Sequence, residues 1–278
     1  MSDVKNPTAT SILRSEQLAI GYCSKKGTHY VAENLNLRLE RGQLVCLLGK
    51  NGVGKSTLLR TLSKTQHKLG GTIFIEDREL SEIDSSQLAQ KMSLVLTEKI
   101  PDSQLTVFEL VALGRQPYTN WLGKLSSEDH QKVDTAIKQV KLEALSHRNY
   151  FELSDGQLQK VMIARALAQD TDLILLDEPT AHLDLHHTIE VFQLLKDLAT
   201  NTNKTILIST HEVNLALALA DDLWLMRPDK FVSGSTANLI ESQDLQNLFP
   251  TEQLTFNEKL KQFVFRTQDT DTGLPSKK

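Results

Sequence analysis

Two textures of hydrophobic and polar positions alternate along the chain. Leu35, Leu37 and Leu39 take turns with Asn36, Arg38 and Glu40, the period of a half-buried strand. Thr72-Ile73-Phe74-Ile75 predicts a second strand, entered through the turn pair Gly70-Gly71. Other runs are apolar throughout: Leu44 to Leu48, Leu173 to Leu176, Ile206 to Ile208, and the shorter Leu94-Val95-Leu96. Strands with both faces buried read this way, as in a parallel sheet covered by helices. Helical stretches separate these runs, so the expected class is α/β, with a mostly parallel core sheet and an N-terminal antiparallel β portion.

Between Glu98 and Leu153 no such buried run occurs, and the segment reads as a helical insert. Val107 to Leu113 predicts a short helix. Ser126 and Ser127 can cap a second one, in which Val133, Ile137 and Val140 fall on one face. The expected organisation is one α/β unit over 1–240, with its core in 1–97 and 154–240 and the insert in 98–153. Past Ile240 the chain is polar and mixed, so 241–278 is expected to be an extension, disordered from Thr267 to Lys278.

The chain has 278 residues, 40% hydrophobic and 24% charged, enough to bury a core without covalent staples. Lys+Arg 31 against Asp+Glu 35 gives a net charge of -4, which argues against nucleic acid as the main partner. Cys23 and Cys46 form neither a disulfide framework nor a metal pattern, and Cys46 sits in an apolar run where a buried thiol is expected. No run reaches the ~18 apolar residues of a membrane span, and Met1 to Pro7 lacks a signal-peptide stretch. A cytoplasmic chain is expected, one that works at a membrane only through an embedded partner.

Candidate chemistry starts at Gly49-Lys50-Asn51-Gly52-Val53-Gly54-Lys55-Ser56-Thr57, which matches G-x-x-x-x-G-K-[ST] directly after a buried strand. Its glycines let successive N–H groups turn toward phosphate oxygens, and the helix that follows adds its positive end. Lys55 supplies a point charge to the β- and γ-phosphates, and the Ser56 hydroxyl suits Mg²⁺. Further on, Leu173 to Leu176 ends in Asp177-Glu178. Side chains alternate along a strand, so Asp177 can serve a metal's water shell while Glu178 polarises an attacking water.

Leu153-Ser154-Asp155-Gly156-Gln157 comes before a helical run expected from Leu158 to about Ala168. A serine hydroxyl and a glycine N–H at a helix start can hold an anion, though the same residues also make an ordinary cap. Placed nineteen residues before Leu173, the motif resembles the signature of ATP-binding cassette (ABC) ATPases, with Asp155 where the commoner form has glycine. The resemblance covers roughly Leu13 to Arg227. It implies an adenine-stacking ring at Tyr22, a D-loop at Ala181-His182-Leu183-Asp184 and a γ-phosphate-sensing switch at His211. His182, His186 and His187 cluster without a ligand pattern and are expected at the surface.

The same resemblance implies ATP and Mg²⁺ as ligands. It also implies a homodimer, or a pair with a related subunit, in which Lys55 and Ser56 of one chain face Ser154 and Gly156 of the other. Separate permease chains would contact the insert. Val107 to Tyr118 and Ala181 to Leu185 resemble importers of iron–siderophore complexes, haem and cobalamin. That branch implies a periplasmic or extracellular binding protein and a place at the cytoplasmic face of the plasma membrane. Exporters, other importers and soluble ABC ATPases of repair or translation share the ATPase chemistry. One departure stands out: the family's glutamine after the strand entering the insert is missing, and Thr97-Glu98 follow Leu96 instead. Thr97 is expected at the usual position, with Glu98 or a water taking over the metal contact, because a carboxylate reaches Mg²⁺ where threonine falls short.

Overall fold

A computed structural model describes residues 11–25, 27–96, 103–120, 123–248 and 253–265. In chain order the elements are β1 (Ser11–Ser24), β2 (Gly27–Leu35), β3 (Arg38–Glu40), β4 (Leu44–Leu48), α1 (Lys55–Leu62), β5 (Gly70–Ile75), β6 (Arg78–Glu79), α2 (Ser85–Ala89) and β7 (Met92–Val95). The insert brings α3 (Val107–Ala112) and α4 (Ser127–Gln139), followed by α5 (Asp155–Ala168). Then come β8 (Leu173–Asp177), α6 (Leu185–Thr202), β9 (Thr205–Thr210), α7 (Val213–Leu219), β10 (Asp222–Met226), β11 (Phe231–Gly234), α8 (Thr236–Glu241), β12 (Leu254–Asn257) and β13 (Gln262–Phe265).

The apolar runs make the central sheet, in the order β11-β10-β4-β9-β8-β7. β10, β4, β9, β8 and β7 run parallel, and β11 closes one edge antiparallel. All five residues of β4 are buried, and alternation sends them two ways. Leu44, Cys46 and Leu48 join the core under α5, α6 and α7, whereas Val45 and Leu47 join the core shared by α1 and a second, antiparallel sheet. Each such leucine contributes about 1.5–3 kcal/mol by leaving water, which is why both faces must be covered. Three layers result.

The antiparallel sheet corrects the first strand reading. Leu35, Leu37 and Leu39 are all buried, but they do not share one strand. Asn34 takes a positive φ of 56°, and the chain kinks between β2 and β3. The β1 residue Ser15 binds the kink: its hydroxyl donates to Leu35 O at 2.9 Å and accepts from Leu37 N at 3.1 Å. One edge of β1 is thereby covered by two strands, and β5 takes the other.

The insert packs on α5 through Val107, Leu110, Val133 and Ile137, with Val140 buried beside them. Thr106 with Glu109, and Ser126 with Asp129, form capping boxes at the starts of α3 and α4. The α3 helix stops at Ala112 and tightens into a 3-10 turn over Leu113–Tyr118. Gly114 explains why: a Cβ there would lie 2.2 Å from the carbonyl oxygen of Arg165, so the turn rests directly on the α5 backbone. Arg115 pins it, donating from Nε to Asp129 at 2.8 Å and from a terminal nitrogen to Ala168 O at 2.8 Å.

The extension is more ordered than its polarity suggests. β12 and β13 pair as a hairpin, Phe256 and Phe263 meet at 5.3 Å between ring centroids, and Phe256 is buried in the core. The hairpin docks on α7, where Phe263 N donates to the Asn214 side chain at 2.9 Å. The disorder expected from Thr267 to Lys278 lies outside the described residues, as do Thr97 and Glu98.

Candidate functional site

The loop Gly49–Gly54 joins the end of β4 to α1. Gly49 passes so close to β10 that a Cβ would sit 2.4 Å from Met226 O. Gly54, at φ 113°, is the N-cap of α1 and has no side chain to satisfy the first-turn N–H groups. Elsewhere Asp84, Thr106, Ser126, Ser154, Asp184 and Ser235 supply that acceptor. An α1 that lacks such a cap is left ready for an anion.

Lys55 is buried under the loop. Its Nζ donates to Gly49 O at 3.0 Å, approaches Lys50 O at 3.5 Å, and lies 3.5 Å from Glu178 Oε1. Burial pushes its pKa down, against the pull of Glu178 and Asp177. Lys50, Asn51 and Gly52 are exposed, and Val53 and Ser56 half-buried. An open groove of ≈ 440 Å³ lies here, lined by Asn51, Gly52, Gly54, Lys55, Ser56 and Thr57 of the loop, by Tyr22, and by Glu178. The half-exposed Tyr22 anchors its hydroxyl on Thr57 Oγ1 at 2.6 Å. His29 and Val31 of β2 also line the groove, and His29 is the register partner of Tyr22.

Asp177 ends β8, and Glu178 follows at φ 47°. Ser209 of the neighbouring β9 holds both acids: its hydroxyl donates to Asp177 Oδ1 at 2.6 Å and accepts from Glu178 N at 2.9 Å. His211, two residues past Ser209, brings Nε2 to 2.7 Å from Glu178 Oε1. Glu178 therefore lies between Lys55 and His211. Among the described residues no group of three or more His, Cys, Asp or Glu could hold a metal by itself.

The remaining expected site residues form a second cluster. Ser154 is the N-cap of α5, and the helix begins at Asp155 rather than Leu158. The cause is a capping box: Ser154 Oγ accepts from Gln157 N, and Gln157 Oε1 accepts from Ser154 N. Gln157 thus spends its side chain on the cap. Asp184 caps α6, accepting from the backbone N of His187 at 2.9 Å and from its Nδ1 at 2.8 Å. His182 and His186 are exposed as expected, and His187 is half-buried at the surface, its ring resting on Gly156. None of Ser154, Gly156, Gln157 or Asp184 lines the groove at Lys55.

A glycine-rich loop with a buried lysine at the tip of a parallel sheet, faced by an acid from the next strand but one, defines a P-loop nucleotide-binding protein. The chain matches the ABC transporter family over residues 32–181, more than half its length, and belongs to that family. It is 37% identical over 240 residues to the probable siderophore transport system ATP-binding protein YusV of Bacillus subtilis (strain 168), covering 86% of each chain. A solved structure of a metal-chelate type ABC transporter in an inward-facing conformation superposes with TM-score 0.75 at 32% identity, covering 91% of this chain and 95% of that one. A dimeric ATP-binding cassette bound to ADP and Pi superposes with TM-score 0.69 at 27% identity, covering 80% and 98%. The fold is the ABC cassette, and the chain is an ATP-binding, ATP-hydrolysing subunit.

Proposed function

We propose that the chain powers import of an iron chelate (a siderophore complex or haem) or cobalamin through a separate membrane permease, at the cytoplasmic face of the plasma membrane. The family and the names of its relatives support an importer. No helix among the described residues is long and apolar enough to cross a membrane, and in this reading separate permease chains supply the pathway. In this reading 1–97 and 154–240 form the ATPase core, 98–153 meets the permease, and a binding protein delivers cargo from outside.

The observation that carries the chemistry is Glu178, held 2.7 Å from His211 and 3.5 Å from Lys55. The β- and γ-phosphates of ATP take Lys55 over from Glu178, which frees the carboxylate to accept a proton from the attacking water. The bond from the γ-phosphorus to the bridging oxygen breaks, leaving ADP and phosphate. His211 keeps Glu178 oriented, and Tyr22 offers its ring to adenine. Ser56 and Asp177 fit Mg²⁺, which asks for one or two protein oxygens and takes the rest from phosphates and water. When bound, the ion neutralises phosphate charge.

Glu178→Gln should keep ATP binding and lose about 10²–10⁴-fold in turnover, as expected for a general base. Lys55→Ala should instead lower nucleotide affinity in calorimetry. Near-normal hydrolysis by Glu178→Gln would reject the assignment. Cargo is tested by uptake: host cells carrying Glu178→Gln should stop accumulating radio-iron from ferric hydroxamate. Normal uptake in those cells of iron from every chelate class, and of cobalamin, would point to another substrate.

A further inference from the structure

The two motifs that stay away from the groove touch each other through one side chain. Asp184 accepts from His187 Nδ1 at 2.8 Å, and since a carboxylate only accepts, Nδ1 carries the proton. The hydrogen bonds from the His187 backbone and side chain hold the Asp184 carboxyl below its usual range. On its other side the imidazole lies on Gly156, where an added Cβ would meet His187 Cδ2 at 2.4 Å and Cγ at 2.7 Å. Gly156 has no positive-φ requirement, so the ring, and not the backbone conformation, excludes a side chain there.

A second tie lies one turn further along the same two helices. Lys160 of α5 donates to Glu190 of α6 at 2.7 Å, and Glu190 lies 3.5 Å from His186. The start of α5 and the start of α6 are therefore joined twice, and His187 makes the join nearest their tips. Hydrogen bonding to a carboxylate is directional and roughly twice as strong as its neutral counterpart, so it sets the orientation of the D-loop acid as well as its distance.

We propose that His187 is a positioning residue that locks Asp184 and the Ser154–Gly156 turn into one unit, so that a partner's nucleotide meets both or neither. This rests on the head-to-tail pairing implied by family membership, in which these motifs face the nucleotide on the other chain. Lys55 and its loop act within their own chain and do not depend on the lock. His187 thus governs the second stage of the cycle, closure on ATP already bound.

The full-length chain is tested in the Glu178→Gln background, where ATP-dependent dimers are followed by light scattering. Nucleotide affinity of the monomer is measured separately with a fluorescent ATP analogue. His187→Ala should raise the ATP concentration for half-maximal dimerisation about tenfold, the loss expected for one charge-assisted hydrogen bond, with monomer affinity unchanged. His187→Asn keeps an N–H close to the place of Nδ1 and should recover most of that loss. His187→Phe keeps a ring over Gly156 without a donor and should recover little. Unchanged dimerisation in His187→Ala, full rescue by phenylalanine, or a parallel fall in monomer affinity would each overturn the proposal. Absence of ATP-dependent dimers in the Glu178→Gln parent would instead overturn the pairing. His187 is then judged by hydrogen exchange at the amides of Gly156 and Gln157: roughly tenfold faster exchange in His187→Ala supports the lock, and unchanged exchange overturns it.

Discussion

Ser209 is buried completely and spends its one hydroxyl on two carboxylate-bearing residues, donating to Asp177 and accepting from the backbone of Glu178. Removing it leaves a buried carboxylate oxygen without that donor, at a cost of about 1–3 kcal/mol. Glu178 keeps its bond to Ser209 O at 3.1 Å, so the turn survives but loses its lateral restraint. Ser209→Ala should therefore lower kcat about tenfold while leaving KM for ATP nearly unchanged, since misplacing a reacting group by less than 1 Å is enough for that loss. A raised KM at constant kcat would show that Ser209 serves binding instead. At this scale the chain disclosed its chemistry where the acting residues are neighbours in sequence: Lys55 and Ser56 after β4, Asp177 and Glu178 at the end of β8. Ser209, His29 and His187 act across strands or helices. Nothing in their local sequence marks them, because sheet register and helix packing make the contact.

The insert shows how an element can be read correctly and still hide its fastening. Ser126 as a cap and the Val133–Ile137–Val140 face follow from helical period, and all three apolar residues are buried. The pairing of Arg115 with Asp129 does not follow from period, since it bridges a 3-10 turn and a helix start. The Ser126 backbone N–H, then its hydroxyl, and Arg115 hold the Asp129 carboxyl down to about 2. Against an unfolded value of ~3.9, a depressed carboxyl stabilises the fold above about pH 4 and loses that contribution as pH falls toward 2. Wild type should therefore unfold at higher temperature than Asp129→Asn at neutral pH, and the gap should close between about pH 4 and pH 2. A gap constant across that range would mean that shape, not charge, holds the insert on α5. Strands were less legible where their alternation breaks. β1 carries register shifts at three or more points and a positive φ at Gln17, which scramble the period of two. Leu223 to Met226, apolar throughout, obeyed the same rule as β4 and could have been read as a buried strand.

At the scale of the molecule, the expected site residues fall in two separate clusters. Lys55, Glu178, His211 and Tyr22 gather at one groove, and Gly156 and Asp184 meet at His187 elsewhere, with Ser154 capping the helix that carries Gly156. Length and composition gave no hint of this division, because which residues gather is a property of the folded surface. If the chain pairs head to tail under a two-fold axis, as proposed, each site is made from one groove and the partner's second cluster. That geometry allows a complementation test. Lys55→Ala chains have a defective groove and an intact second cluster. Ser154→Arg chains have the reverse, since the long cation fills the place of the γ-phosphate. Each should be inactive alone. A mixed dimer of the two contains one doubly defective site and one fully intact site. With random exchange half the dimers are mixed, so an equal mixture should recover roughly a quarter of wild-type hydrolysis if the sites act independently. Purified mixed dimers, tagged differently on each chain, should show about half. Activity in the tagged mixed dimer no greater than in either parent would reject the composite site. It would also leave Ser154 as nothing more than the cap of α5.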